Sequence, residues 1–272
     1  MVKWLLEKDV FRENLQRLQN SIIQHGHEFK VVEYVPFSAG KYDQFNDNDC
    51  VIFYGSLNFA RQLKKDKPWV PGVWCSLENF LCQKYFVHFG KWLLNQHYTI
   101  LPLVELIRKK YEIVRDFGFD DQVFVRPCSG FKEFAGQTLD KDNLTLDNLG
   151  FGYYHEDPSL LVVVSEPKRI DLEYRVVICE KQAITGSQYK INRELEVDKS
   201  CPQPVLDFAE KIAQEAKWEP DPIYVMDIAQ IGDMLYLLEL NAFSTSGLYD
   251  CDIDTIVDKA SKLAQKEWQE VQ

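Results

Sequence analysis

The stretch Ile223-Tyr-Val-Met-Asp227-Ile-Ala-Gln-Ile-Gly-Asp-Met-Leu-Tyr-Leu-Leu-Glu239-Leu-Asn241 decides how the rest of the chain is read. Two apolar runs, Ile223 to Ala229 and Met234 to Asn241, flank Gly232-Asp233 and predict a hairpin. Glu239 and Asn241 are two apart in a strand, so their side chains share a face. Tyr236, Leu238 and Leu240 are expected on the opposite face, in a core. Whether Asp227 joins Glu239 depends on the connection. A three-residue loop Ile231-Gly232-Asp233 places Asp227 diagonal to Glu239, whereas a two-residue Gly232-Asp233 turn puts it on the wrong side unless a bulge intervenes. If it joins, two carboxylates and an amide oxygen form an oxygen-only set suited to a hard cation such as Mg²⁺. The plainer alternative is three solvated polar residues at the end of a sheet.

Upstream lie three more constellations. Phe124-Val-Arg126-Pro-Cys-Ser-Gly130-Phe-Lys132-Glu-Phe-Ala-Gly136 is a strand end running into a glycine-bearing loop, where backbone can approach phosphate oxygens and Arg126 and Lys132 can neutralise them. It is not a P-loop, because no Gly-Lys-Ser/Thr follows at the required spacing. Leu160-Leu-Val-Val-Val-Ser-Glu166-Pro-Lys168 is a buried apolar strand that breaks at a proline-marked linker, a junction able to offer backbone groups to an adenine edge. Pro167 has no N–H, so a donor would have to come from a neighbour such as Lys168. Glu173-Tyr-Arg175 puts two charges on one strand face, followed across a turn by Gly186-Ser-Gln-Tyr-Lys190 and Arg193; on pattern alone a cross-strand salt bridge is the favoured account. No histidine has a Ser or Cys partner in a nucleophile pattern.

The remaining pattern predicts a helix from Asp9 to His25 ending at Gly26, strands Phe29 to Val35 and Asp49 to Gly55, and a mainly helical stretch from Ser76 to Arg115 interrupted near Tyr98 to Pro102. Strands follow at Gln122 to Arg126, Leu160 to Ser165, Leu172 to Cys179 and Gln182 to Tyr189. Helices are expected from about Pro204 to Lys217 and over Asp252 to Glu270, the latter amphipathic. A small α/β unit thus precedes a largely antiparallel α+β domain. The division expected is residues 1–95 and 96–272.

Composition sets the limits. With 46% hydrophobic and 27% charged residues, the chain can bury enough apolar area to fold. A net charge of −11 without a basic stripe disfavours nucleic acid. Seven cysteines with no Cys-x-x-Cys pair read as reduced, mostly buried thiols. The apolar run at the N-terminus is too short for a signal peptide, and none reaches the ~18 residues of a membrane span. A soluble cytoplasmic protein, monomer or homodimer, is expected.

Taken together and in this order, these segments resemble the ATP-grasp superfamily, and more narrowly its divergent clade named for one arginine and two lysines. That clade includes phage and bacterial proteins and is related to a eukaryotic translation-initiation-factor assembly protein. Lys3-Trp-Leu-Leu-Glu-Lys-Asp-Val-Phe, Val31-Val-Glu-Tyr-Val-Pro-Phe and Phe53-Tyr-Gly-Ser are similar to its N-terminal unit. Phe124-Val-Arg-Pro, Gly186-Ser-Gln-Tyr and Glu239-Leu-Asn-Ala-Phe-Ser-Thr-Ser-Gly are similar to its nucleotide domain. The resemblance implies ATP held between two subdomains, with Arg126 and Lys132 toward the phosphates and Glu166 to Lys168 at adenine. Glu173 and Arg175 would line the polar end, Lys190 would be a candidate second lysine, and Asp227, Glu239 and Asn241 would hold Mg²⁺. Arg126, Lys132 and Arg175 are then the candidate catalytic groups. The chemistry implied is ligation of a carboxylate to an amine, through an acyl phosphate, on a peptide or protein substrate. An ATP-binding assembly chaperone and a kinase are the alternatives.

Overall fold

The first apolar run forms a buried strand, β1 (Lys3–Glu7), around which the first sheet is laid out. The structure, a computed structural model, describes residues 1–272 apart from 36–41, 43, 132 and 153–155. Helix α1 (Arg12–Gln24) buries Leu18 and Ile22 and is followed by Gly26 at φ 71°, the left-handed conformation glycine adopts without steric cost. The chain returns as β2 (Glu28–Val32), parallel to β1, and β3 (Cys50–Tyr54) pairs parallel on the other side of β1. All five residues of β3 are buried, as its unbroken apolar run requires of a parallel strand covered on both faces. Helix α2 (Leu57–Asp66), started by Ser56 accepting from the Phe59 N–H, leads to β4 (Val70–Gly72) and completes the order β2-β1-β3-β4. The expected strand from Phe29 pairs only as far as Val32, and α2 and β4 are additional to the elements read from the sequence.

Helix α3 (Cys82–Phe89) joins this unit to two antiparallel sheets. The interruption at 98–102 is itself a strand, β5 (Tyr98–Pro102), followed by α4 (Leu103–Arg108) and α5 (Lys110–Phe117). With β6 (Gln122–Pro127), β7 (Gln137–Asp140) and β8 (Leu161–Ser165) it forms the order β5-β8-β6-β7. The larger sheet contains β9 (Leu172–Cys179), β10 (Gln182–Ile191) and β11 (Glu194–Asp198), then, after α6 (Gln203–Glu215), β12 (Ile223–Ile231) and β13 (Met234–Ala242). Its order is β11-β10-β9-β12-β13. Strands β7 and β11 were not anticipated.

Period-two alternation sorts the faces of the larger sheet. Tyr174, Val176 and Ile178 of β9 and Tyr224, Met226 and Ile228 of β12 share a core with Val205, Ala209 and Ile212 of α6. On the other face, Val177, Cys179 and Ile223 join Ile256, Val257 and Ala260 of the final helix, α7 (Ile253–Glu270). That helix packs as well against α1, β3 and β4, and Trp4 Nε1 donates to Ser261 Oγ at 3.2 Å. The last element therefore closes the core of the first sheet. Each fully buried aliphatic side chain on it contributes ~1.5–3 kcal/mol, and truncating Ile256 to Ala would cost ~2–5 kcal/mol. The residues left on this face nearest the start of β9, Glu173 and Arg175, are polar: Glu173 lines the cleft between the two antiparallel sheets, and Arg175 turns to Asp227 of the neighbouring strand.

All seven cysteines are free thiols, six of them buried and Cys201 half-buried, as the sequence led us to expect. Among the described residues no helix is long and apolar enough to cross a membrane.

Candidate active site

The β12–β13 hairpin brings Asp227, Glu239 and Asn241 together by the less obvious route. Ile231 pairs with Met234, so the turn has two residues, Gly232 and Asp233. That register alone would set Asp227 against Leu238. Instead Ile228 pairs with Leu237 and Asp227 with Glu239, so Leu238 is the extra residue of a bulge. The bulge also changes which side chains enter the core. Leu237 and Leu240 are buried against α6's cluster, whereas Leu238 lines the cleft beside Glu239. This corrects the expectation that Leu238 faces the core with Leu240: a bulge reverses parity on one side of itself.

The three polar groups are connected. Asn241 Nδ2 donates to Asp227 Oδ2 at 3.2 Å and to Glu239 Oε1 at 3.0 Å. Each carboxylate also holds an arginine from another strand. Arg175, opposite Asp227 on β9, donates from Nε to Oδ1 at 2.9 Å and from Nη2 to Oδ2 at 2.8 Å, with side chains 7% and 1% exposed. Its Nη1 donates to the Gly247 carbonyl at 2.7 Å. Arg126, from β6 in the facing sheet, reaches Glu239 Oε2 at 2.7 Å. Burial works against both guanidinium charges, but the facing carboxylates, together with Cys82 and Tyr85 at Arg126 and Tyr249 and Tyr189 at Arg175, outweigh it and hold both protons more tightly than usual. The Glu173 and Arg175 pair on β9 is thus split: Arg175 reaches Asp227, while Glu173 accepts from Lys190 Nζ at 3.4 Å and from the Tyr189 hydroxyl. The cross-strand salt bridges expected of this segment are present, as Arg175–Asp227 and Lys190–Glu173.

Between the sheets lies a cavity of about 600 Å³, lined by Phe124, Arg126 and Gly136 on one side and Glu173, Lys190 and Glu239 on the other, with Lys168 at one end. Lys168 Nζ is 2.7 Å from Glu166 Oε2. Asp227 and Arg175 are buried and do not line the cavity. A Cβ on Gly136 would fall 2.9 Å from the Phe124 ring and 3.3 Å from Arg126 Cβ, so glycine there lets the loop lie flat on β6. Gly130 has no comparable constraint. Lys132 lies outside the described residues.

Two tyrosines were missed. Tyr189 and Tyr249 stack with centroids 4.8 Å apart and planes 1° from parallel, and the Arg175 guanidinium sits over both rings. Tyr189 is the extra residue of a second bulge, since Gln188 pairs with Tyr174 and Lys190 with Glu173. That bulge lets both Tyr189 and Lys190 reach Glu173, which plain alternation would forbid. Tyr249 adopts φ 48°, and its carbonyl accepts from Asn14 Nδ2 and Arg17 Nη1 of α1. No residue-type signal announces it.

The donor set suits Mg²⁺. Among the described residues no group of three or more Asp, Glu, His or Cys side chains is arranged for a metal, so the candidate rests on two carboxylates and an amide. Glu239 and Asn241 are accessible enough to ligate, and half a rotation of the Asn241 amide presents Oδ1. Asp227 is engaged at both oxygens, by Arg175 at Oδ1 and Oδ2 and by Asn241 at Oδ2.

The fold and this cleft define an ATP-grasp protein. Residues 105–258 match an ATP-grasp domain family, the second family of the clade named for one arginine and two lysines. The match spans more than half of the chain, and the protein belongs to that family. No curated protein matches. Among solved structures, D-cycloserine synthetase DcsG superposes with a TM-score of 0.65 at 9% identity, covering 97% of this chain and 100% of its own. A RimK-domain ATP-grasp protein from Sphaerobacter thermophilus gives 0.61 at 14%, covering 94% and 98%. The ATP-grasp ligase PsnB, complexed with a minimal precursor, gives 0.59 at 15%, covering 96% and 98%. At such identities the likeness is one of fold.

Proposed function

We propose that the chain is an ATP- and Mg²⁺-dependent ligase joining a carboxylate to an amine, with a peptide or protein as one substrate. The observation that carries this reading is the meeting of Arg126 from one sheet with Glu239 from the other in the cavity between them, with Glu239 tied through Asn241 to the buried Asp227. Family membership and the ligase neighbours, one of them complexed with a peptide precursor, support it. Residues 1–95 act in this reading as the first domain and 96–272 as the nucleotide domain. The seven free thiols favour a cytoplasmic setting.

Mg-ATP would supply an activated phosphoryl group, converting a carboxylate to an acyl phosphate open to an amine. The chain's own task is positioning and charge neutralisation, which is most of what phosphoryl transfer requires. Glu166 to Lys168 meets the adenine edge. Glu173, held by Tyr189 and Lys190, lies between that end and the metal ligands. Arg126 and Lys132 would neutralise phosphate oxygens, and Glu239 and Asn241, with Asp227 behind them, would hold the ion. Arg175, fixed by Asp227 and the Gly247 carbonyl, would hold Asp227 in place behind the metal ligands. No nucleophile–base pair is required.

Hydroxylamine trapping tests the reading. Incubated with Mg-ATP, hydroxylamine and a panel of carboxylates, a ligase yields hydroxamate and ADP. Nucleotide binding without turnover would replace the ligase by a chaperone, and a stable phosphorylated product would replace it by a kinase.

A further inference from the structure

Beside the cleft is a second, smaller cavity of about 300 Å³, lined by Arg169, Ile170, Asn192 and Arg193. Ile170 and Arg193 also line the main cavity, so the two adjoin. Both arginines are exposed, and among the described residues neither forms an ion pair. Of the charged neighbours, Lys168 pairs with Glu166, Lys190 with Glu173, and the Asp171 carboxylate accepts the Gly232 N–H at 2.8 Å, while Glu194 is exposed. The position of Arg193 is rigid. It occupies a two-residue turn with Asn192, both at positive φ, and the Asn192 N–H donates to the Asp171 carbonyl at 2.9 Å.

We propose that the Arg169–Arg193 pocket docks an acidic segment of a polypeptide acceptor, an inference that rests on the ligase reading above. Two free guanidiniums in one recess form a bidentate receptor for carboxylates. On a chain of net charge −11 this local positive field selects an anion that the rest of the surface repels. The triphosphate of the same nucleotide is not that anion. The pocket adjoins the start of β9, next to the Glu166 to Lys168 linker, whereas Arg175 and Asp227 lie three residues farther along, about 10 Å at strand rise. An acceptor that reacts at the phosphate end while anchoring an anion at the linker end must span that distance. A polypeptide does so readily, and a small acid does not.

The test uses the full chain saturated with AMPPNP and Mg²⁺, and a fluorescein-labelled hexa-aspartate peptide followed by fluorescence anisotropy. The expected result is saturable, salt-weakened binding, with hexa-lysine not binding. R169E, at the arginine that lines only the smaller cavity, should weaken hexa-aspartate binding severalfold while AMPPNP affinity stays within about twofold of wild type, and R169E/R193E should weaken peptide binding by about tenfold or more. Unchanged peptide binding in the double variant, displacement of the peptide by AMPPNP, or no binding to wild type would overturn the proposal. Peptide binding together with failed hydroxylamine trapping would instead remove the ligase reading and leave a docking site on an ATP-binding protein.

Discussion

Replacing Asp227 by alanine tests how far the cleft depends on the buried Arg175–Asp227 pair. The change removes two charge-assisted bonds, at 2.9 and 2.8 Å, between side chains 7% and 1% exposed. Arg175 cannot shed its proton, and the hydrogen bond left to it is the one to the Gly247 carbonyl at 2.7 Å. Leaving one partner of a buried pair uncompensated costs ~3–5 kcal/mol. At roughly 2–4 °C per kcal/mol for a chain near this size, Tm should fall by about 6–20 °C. Replacing the whole pair, as Arg175→Met with Asp227→Leu, removes the stranded charge and should recover most of that loss. Scanning calorimetry at neutral pH without nucleotide measures both. A single variant melting within about 2 °C of wild type, or a double variant less stable than Asp227→Ala, would refute the reasoning.

Other consequences are smaller and independent. Tyr189→Phe deletes the hydroxyl bond to Glu173 and should cost ~1 kcal/mol by urea denaturation while retaining the stack on Tyr249; no change would show that the bond is not made. Burial raises the Asp221 carboxyl above its usual value, against the opposing effect of its bond from the Ser76 N–H. A carboxyl with a raised folded pKa favours the fold below its unfolded value and loses that contribution as pH rises through the folded one. The Asp221 contribution should therefore fall as pH rises from about 4, and the stability of Asp221→Asn relative to wild type should improve over that range. Burial likewise pushes the Cys201 thiol up to about 11, so a thiol reagent at neutral pH should label native protein slowly, Cys201 first, and reach seven thiols only on denaturation; rapid labelling of several native thiols would contradict the burial.

Much of the frame was legible because hydrophobic period and turn chemistry agree. Strand β9 runs over the residues read from the apolar pattern, and α7 buries the stripe of Ile253, Ile256, Val257, Ala260, Leu263 and Ala264. What escaped has physical causes. Strand β11, Glu194-Leu-Glu-Val-Asp198, is exposed throughout, and β7 has only four half-buried residues, so neither carries a core signal. The bulges at Leu238 and Tyr189 break the period-two rule that sequence reading relies on, and they occur where side chains must be turned into the cleft. The Arg126–Glu239 pair joins two sheets, and no local pattern connects them. Tyr249 holds a left-handed conformation because α1 pins its carbonyl, not because tyrosine favours one.

Calorimetric titration of AMPPNP into wild type and Glu239→Ala, each with and without Mg²⁺, reaches the central claim most directly. One site is predicted in wild type, tightened by Mg²⁺ by about tenfold or more, with that tightening absent in Glu239→Ala. Equal affinity with and without the ion in wild type, or the same Mg²⁺ effect in both proteins, would mean that these oxygens do not hold a nucleotide-bound metal.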